Sequence, residues 1–177
     1  MTQLAVPTVA DAQRMLRELG ASTRLLRHVE LVGEAAELLL TALRQQRVPI
    51  DEAFVRAGVE LHDVGKTVHP EELSGPGSRH EATGERLLLD RGVDPRIARV
   101  CRSHAQWSSL DASLDELVIA LSDKLWKGVR RADLEERFIE GAARAVKRDR
   151  WDLFIPLDAA FEEIAALGAD RLARSHA

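Results

Sequence analysis

Glu60-Leu61-His62-Asp63-Val64-Gly65-Lys66 sets an imidazole beside a carboxylate at the end of an apolar helical run. Gly65 is a natural C-terminal residue for that helix, which puts His62 and Asp63 in its last turn, where the partial negative charge of the helix end favours a cation. The pair therefore points to the centre of a metal site. A hydrogen-bonded pair at a helix terminus accounts for the same dipeptide equally well, so the surrounding chain has to separate the two.

Upstream, Pro49 is a break and Asp51 caps a helix through Phe54, Val55, Val59 and Leu61 that delivers the pair. Before it, Ser22 or Thr23 caps a long helix to about Arg47, with Leu25, Val32, Ala35, Ala36, Leu39 and Leu43 at helical spacing. His28 lies on that stripe and faces inward. A short helix over Asp11 to Leu19, ended by Gly20, precedes it.

Downstream, Thr67 to Ser78 (TVHPEELSGPGS) has no periodicity and forms a long loop, of the kind that covers a site. Ser78-Arg79-His80-Glu81 matches a capping box and opens a helix to Gly92, with His80 in its first turn and Gly84 marking a close approach. Asp94-Pro95 opens the next, on which Ile97, Val100, Cys101 and His104 share a face. A second capping box, Ser113 to Glu116, starts a helix to about Lys127, and Asp123 falls on its apolar side. A carboxylate buried there needs a partner. A helix from about Ala132 to Lys147 and a last one starting near Leu157, after Pro156, complete the chain as packing elements. Trp151 and Phe154 are expected to fill the corner between them. The expectation is an all-α single domain over residues 1–177, with a site-bearing part at about 22–130 and packing helices at about 131–175.

Composition excludes several classes. The chain has 177 residues, 45% of them hydrophobic, enough for one well-formed core. A net charge of -4 gives no general attraction to nucleic acid or anionic membrane. One cysteine, Cys101, forms no internal disulfide, and the first residues lack a charged and apolar leader pattern, so a cytoplasmic protein is expected. No apolar run is long enough to span a bilayer.

His28, His62, Asp63, His80, His104 and Asp123 each stand at or near the inner face of a predicted helix. One metal cluster explains them together, because imidazole and carboxylate tolerate burial when they bind a cation. The ordered set, with His-Asp-Val-Gly-Lys at its core and His80-Glu81-Ala82-Thr83-Gly84 and Ser122-Asp123-Lys124 around it, resembles the HD-domain superfamily of metal-dependent phosphohydrolases. The two extra histidines are similar to those of its dinuclear branch, which includes HD-type diadenosine tetraphosphate hydrolases and cyclic dinucleotide phosphodiesterases. No Gly-Tyr-Pro signature follows, which speaks against cyclic dinucleotides.

The resemblance implies an HD-type bundle of about seven to eight helices. It implies one ion on His28, His62, Asp63 and Asp123, and a second, bridged by Asp63, on His80 and His104. Iron is the first expectation, with manganese, zinc or magnesium as alternatives. It further implies attack by hydroxide held between the ions on a phosphoester or phosphoanhydride of a small, nucleotide-like substrate. Asp63 and Lys66 would be catalytic, with Lys66 also contacting phosphate. Arg79 is placed to hold another phosphate and Trp107 to stack on a base, although a surface arginine and a packed tryptophan are as consistent with the pattern. Lys124, Lys127, Arg130 and Arg131 form a local basic run. Two alternatives stay open: a mixed-valent di-iron oxygenase of the HD type, and a metal-containing nucleotide sensor. A homodimer through the C-terminal helices is also open.

Overall fold

The structure, a computed structural model, describes residues 5–176. Among these every regular element is helical: α1 (Val9–Glu18), α2 (Thr23–Gln45), α3 (Glu52–Leu61), α4 (Arg79–Asp90), α5 (Pro95–Gln106), α6 (Leu114–Leu125), α7 (Ala132–Val146), α8 (Arg150–Ala166) and α9 (Gly168–Ser175). Two short 3-10 helices, Val64–Thr67 and Pro70–Leu73, lie between α3 and α4.

The helix starts follow from side chains that accept otherwise unpaired backbone N–H groups. Ser22 Oγ accepts from Leu25 N at 3.1 Å, Asp51 Oδ1 from Phe54 N at 3.0 Å, and Asp94 Oδ1 from Arg96 N at 2.8 Å. Ser113 and Glu116 form the expected reciprocal box. The box expected at Ser78 is absent. Instead Glu72, from the covering segment, accepts from Arg79 N at 3.2 Å and His80 N at 3.0 Å. A carboxylate from a neighbouring element does the same work and carries a full negative charge to the start of α4.

α2, α3, α5 and α6 pack against one another, with α1 on α3, α4 on α5, and α7 on α6. Leu25, Leu31, Leu39, Leu61, Ile97 and Ile119 are fully buried between them. Glycines set the closest approaches. A Cβ on Gly58 would stand 2.3 Å from Ile119 Cδ1, so α3 and α6 meet without a side chain between them. Gly84 plays the part foreseen for it, against Cys101 Sγ and the backbone of Gly65. Gly65 departs from its expected role. It is buried inside the first 3-10 helix and has no positive φ; a Cβ there would fall 1.9 Å from the carbonyl oxygen of His80. It is glycine because α4 presses on it, which brings His80 toward Asp63.

The C-terminal region differs from expectation in three places. Pro156 lies inside α8 rather than before a helix. The carbonyl of Asp152, four residues earlier, is the group a proline leaves unbonded, and it accepts from Arg148 Nη2 at 3.3 Å. Trp151 is 60% exposed and so does not fill a corner; its ring stands edge-on to Phe154 with Arg150 over it. The last helical run is two helices, which adds a short ninth to the implied bundle. A Cβ on Gly168 would meet Gly128 N at 2.3 Å, so the chain breaks at this backbone-to-backbone contact and restarts as α9. α9 packs on α2 and α8. Its Arg171, 2% exposed, donates to Ile164 O at 2.9 Å.

Candidate metal centre

The six sequence-derived metal-ligand candidates converge. His62 and Asp63 follow the last residue of α3, while His104 and Asp123 stand in the last turns of α5 and α6, so three helix C-termini point their partial negative charge at one place. His28 comes from the second turn of α2 and His80 from the first turn of α4.

Asp63 is the hub. Its Oδ2 lies 3.0 Å from His28 Nε2 and 3.5 Å from His62 Nε2, while Oδ1 lies 3.2 Å from His80 Nε2 and 3.6 Å from His104 Nε2. Asp123 Oδ1 is 3.4 Å from His62 Nε2 and 3.9 Å from His28 Nε2. Ligand atoms of three groups come within 4.8 Å of one another: His28, His62 and Asp63; His62, His104 and Asp123; and Asp63, His80 and His104.

The other ring nitrogens explain why the Nε2 atoms face inward. His62 Nδ1 is 2.7 Å from Val59 O, His104 Nδ1 is 3.0 Å from Val100 O, and His80 Nδ1 is 2.6 Å from Glu72 Oε2. An Nδ1–H donated to oxygen leaves the Nε2 lone pair for a cation. His28 is steered differently, by edge contact of its ring with Trp126 at 5.0 Å between centroids.

The buried atoms themselves test whether a cation fits. Asp63 Oδ1 and His80 Nε2 are buried and neither has a hydrogen-bond partner, although they face each other. An ion coordinated by both satisfies both, and oxygen with imidazole nitrogen is a donor set for divalent transition metals. The charges agree. Burial opposes ionisation of Asp63 and Asp123, yet His62 and the neighbouring imidazoles hold both below the ordinary carboxylate range. Burial likewise opposes charge on His62, but Asp63 and Asp123 outweigh it and raise its pKa. At His104 burial prevails, helped by His62, and its pKa falls to about 4, so this imidazole is neutral and ready to coordinate. Burial also works against the Glu72 carboxylate, and its bonds to His80 nevertheless bring it down to about 2.

A cavity of about 370 Å³ opens over the cluster, within the range of small-molecule sites. Lys66, Lys124, Lys127 and Trp126 line it, as does the segment Gly75-Pro76-Gly77 of the covering loop. Lys66 Nζ is 2.6 Å from Asp63 Oδ2 and Lys124 Nζ is 2.8 Å from Asp123 Oδ2. The local basic run therefore divides: Arg130 is held by Glu135, Asp158 and Glu162, and Arg131 by Asp133.

Two residues expected at the substrate do not reach the cavity. Arg79, with its side chain 66% exposed, is neutralised by Glu71 and Glu72. Trp107 turns into the core at the end of α5, where Arg131 lies 5.9 Å over its ring. The tryptophan that lines the cavity is Trp126, three residues after Asp123 at the end of α6. Glu72 was missed altogether, since nothing in an aperiodic PEEL segment marks one glutamate as buried.

An all-helical bundle that gathers four histidines and two aspartates from four helices and the segment after α3 defines a site able to hold metal ions. Residues 25–128 match the family model described as HD domain, and the chain belongs to that family. Among curated proteins it is similar to a tRNA (cytidine(56)-2'-O)-methyltransferase of Picrophilus torridus, 24% identical over 145 residues, covering 82% of this chain and 38% of that protein. It is also similar to an uncharacterized protein of Methanocaldococcus jannaschii, 24% identical over 131 residues, covering 65% of this chain and 73% of that one. The chain thus spans well under half of the methyltransferase. No solved structure matches it. No helix among the described residues is long and apolar enough to cross a membrane.

Proposed function

We propose that this chain is a dinuclear metal-dependent phosphohydrolase that cleaves a phosphoester or phosphoanhydride of a small, nucleotide-like substrate. The observation that carries the proposal is the division of Asp63, one oxygen toward His28 and His62 and the other toward His80 and His104. His28, His62, Asp63 and Asp123 would hold one ion, and Asp63, His80 and His104 the other, with iron the first expectation for the donor set. When bound, such a pair supplies an activated water nucleophile and neutralises charge on a phosphoryl oxygen.

The chain's own residues do the rest. Lys66 and Lys124 offer point charges to phosphate oxygens at the cavity floor, and Lys127 extends the cationic side outward. Gly75, Pro76 and Gly77 cover the site and restrict water around the reacting group. The buried Cys101, whose thiol is pushed up by burial, takes no part and accords with a reducing cytoplasm. Methyl transfer to tRNA is not carried over from a relative of which the chain spans 38%. The lysines at both carboxylates favour phosphoryl chemistry over the oxygenase alternative.

The test is metal analysis of protein purified without added metal, followed by phosphatase and phosphodiesterase substrates assayed with and without oxygen. About two metal ions per chain and phosphate release without oxygen are expected, both lost in Asp63→Ala. Hydrolysis retained by purified, metal-supplemented Asp63→Ala would overturn the proposal, and oxygen uptake without phosphate release would select the oxygenase.

A further inference from the structure

Arg24 and Ser175 line two cavities at once. One is the cavity over the metal centre; the other, about 870 Å³, lies among α1, α2, α3 and the end of α9 and is larger than phosphoryl chemistry needs.

Glu60 belongs to that second cavity. It stands on α3 two residues before His62 and is 6% exposed. Gln13 Nε2 donates to its Oε1 at 3.5 Å, while Oε2 is buried with no hydrogen-bond partner. A buried carboxylate oxygen without a donor is costly, and one on a cavity wall is satisfied when a ligand brings an N–H or O–H group. Arg17, Arg24 and Arg27 line the same cavity. Arg24 reaches Ser74 Oγ at 2.5 Å and is already oriented, and a guanidinium so held suits a phosphate; Arg27 is paired with Glu30, which also lines the cavity, at 2.8 Å.

We propose that this cavity is the second half-site of the substrate. It takes the distal part of a nucleotide, with an anionic group on the arginines and a neutral group bearing hydrogen-bond donors on Glu60 Oε2. The donors are either ribose hydroxyls or the amino edge of a base. The inference rests on the hydrolase reading of the neighbouring centre, because the shared Arg24 and Ser175 make the two cavities consecutive parts of one binding surface.

The experiment measures binding of guanosine, 2'-deoxyguanosine and adenosine 5'-triphosphates and of 4-nitrophenyl phosphate by calorimetry, with hydrolysis in parallel. Wild type, Glu60→Gln and Arg17→Ala are compared as purified, metal-containing protein. Nucleotides should bind at least about tenfold more tightly than the aryl phosphate, and Glu60→Gln should reduce that preference by about tenfold or more. Arg17→Ala, an exposed change that spares folding, should weaken all three nucleotides. Sensitivity confined to the 2'-hydroxyl assigns the ribose, and sensitivity confined to guanine assigns the base; each supports the half-site. Equal affinities for nucleotides and aryl phosphate, or an equal loss for both in Glu60→Gln, would overturn it. Selective nucleotide binding without any hydrolysis would support the half-site and reject the hydrolase, while aryl phosphate hydrolysis without nucleotide preference would do the reverse.

Discussion

Glu72 Oε2 lies 2.6 Å from Nδ1 of His80, and the same oxygen accepts the backbone N–H of His80 at 3.0 Å. The carboxylate fixes where α4 begins and which nitrogen of His80 faces Asp63. A carboxylate behind a coordinating histidine sets its tautomer and basicity, and losing such a partner typically costs about 10–100-fold in metal affinity. Glu72→Ala is expected to lose that much affinity at the His80 and His104 side, measured by competition with a chelator. Glu72→Gln, whose amide oxygen still accepts, should lose less. Equal affinity in wild type and Glu72→Ala would show that His80 needs no such support.

Lys66 Nζ, 2.6 Å from Asp63 Oδ2, is the positive charge nearest the hub. It lines the cavity without donating a lone pair to a metal. Lys66→Ala should therefore keep the wild-type metal content while kcat/KM for a phosphoester falls by about tenfold or more. Metal content falling in step with activity would assign Lys66 to holding Asp63 rather than to substrate.

Gly65→Ala should be more damaging than its size suggests. The added Cβ would meet His80 O at 1.9 Å and Gly84 N at 2.8 Å, both backbone atoms that cannot rotate away. Relieving the clash separates the first 3-10 helix from α4 and carries His80 away from Asp63. A loss of roughly 3 kcal/mol in stability is expected from overpacking of this kind. Thermal unfolding and metal stoichiometry read the two effects, and an unchanged midpoint would show that the contact yields freely.

Helical periodicity made most of the fold legible, because each helix buries one face and its polar intruders stand out against leucine, valine and alanine. His28, His104 and Asp123 were visible for that reason. What escaped lies where periodicity is silent. Glu72 sits in an aperiodic segment, and the roles of Trp107 and Trp126 depend on how the turn after each helix bends. Pro156 looked like a break because the substitute donor for Asp152, the Arg148 guanidinium, comes from outside the helix. Arg171 was not singled out in the sequence, and only the packing of α9 on α2 and α8 shows it buried.

α9 is tied to α2 through charge, and this makes its docking sensitive to acid. Arg174 donates to both oxygens of Glu34, at 2.8 and 2.6 Å. The Arg174 side chain lowers the pKa of Glu34 below its ordinary 4.5, against a smaller opposing effect of burial. A carboxylate with a depressed folded-state pKa contributes stability above its unfolded pKa and loses it as pH falls through the folded value. The contact is half-open to water, so salt should weaken it as well. Amide hydrogen exchange in α9 should accelerate as pH drops below about 4.5, after correction for the intrinsic rate. It should also accelerate at high salt near neutrality, ahead of exchange in α3 and α6. Glu34→Gln should exchange fast at every pH. Because Ser175 of α9 borders both cavities, the same conditions should loosen nucleotide binding. Exchange in α9 that follows the core at all pH values would mean the helix is held by Arg171 and apolar packing instead.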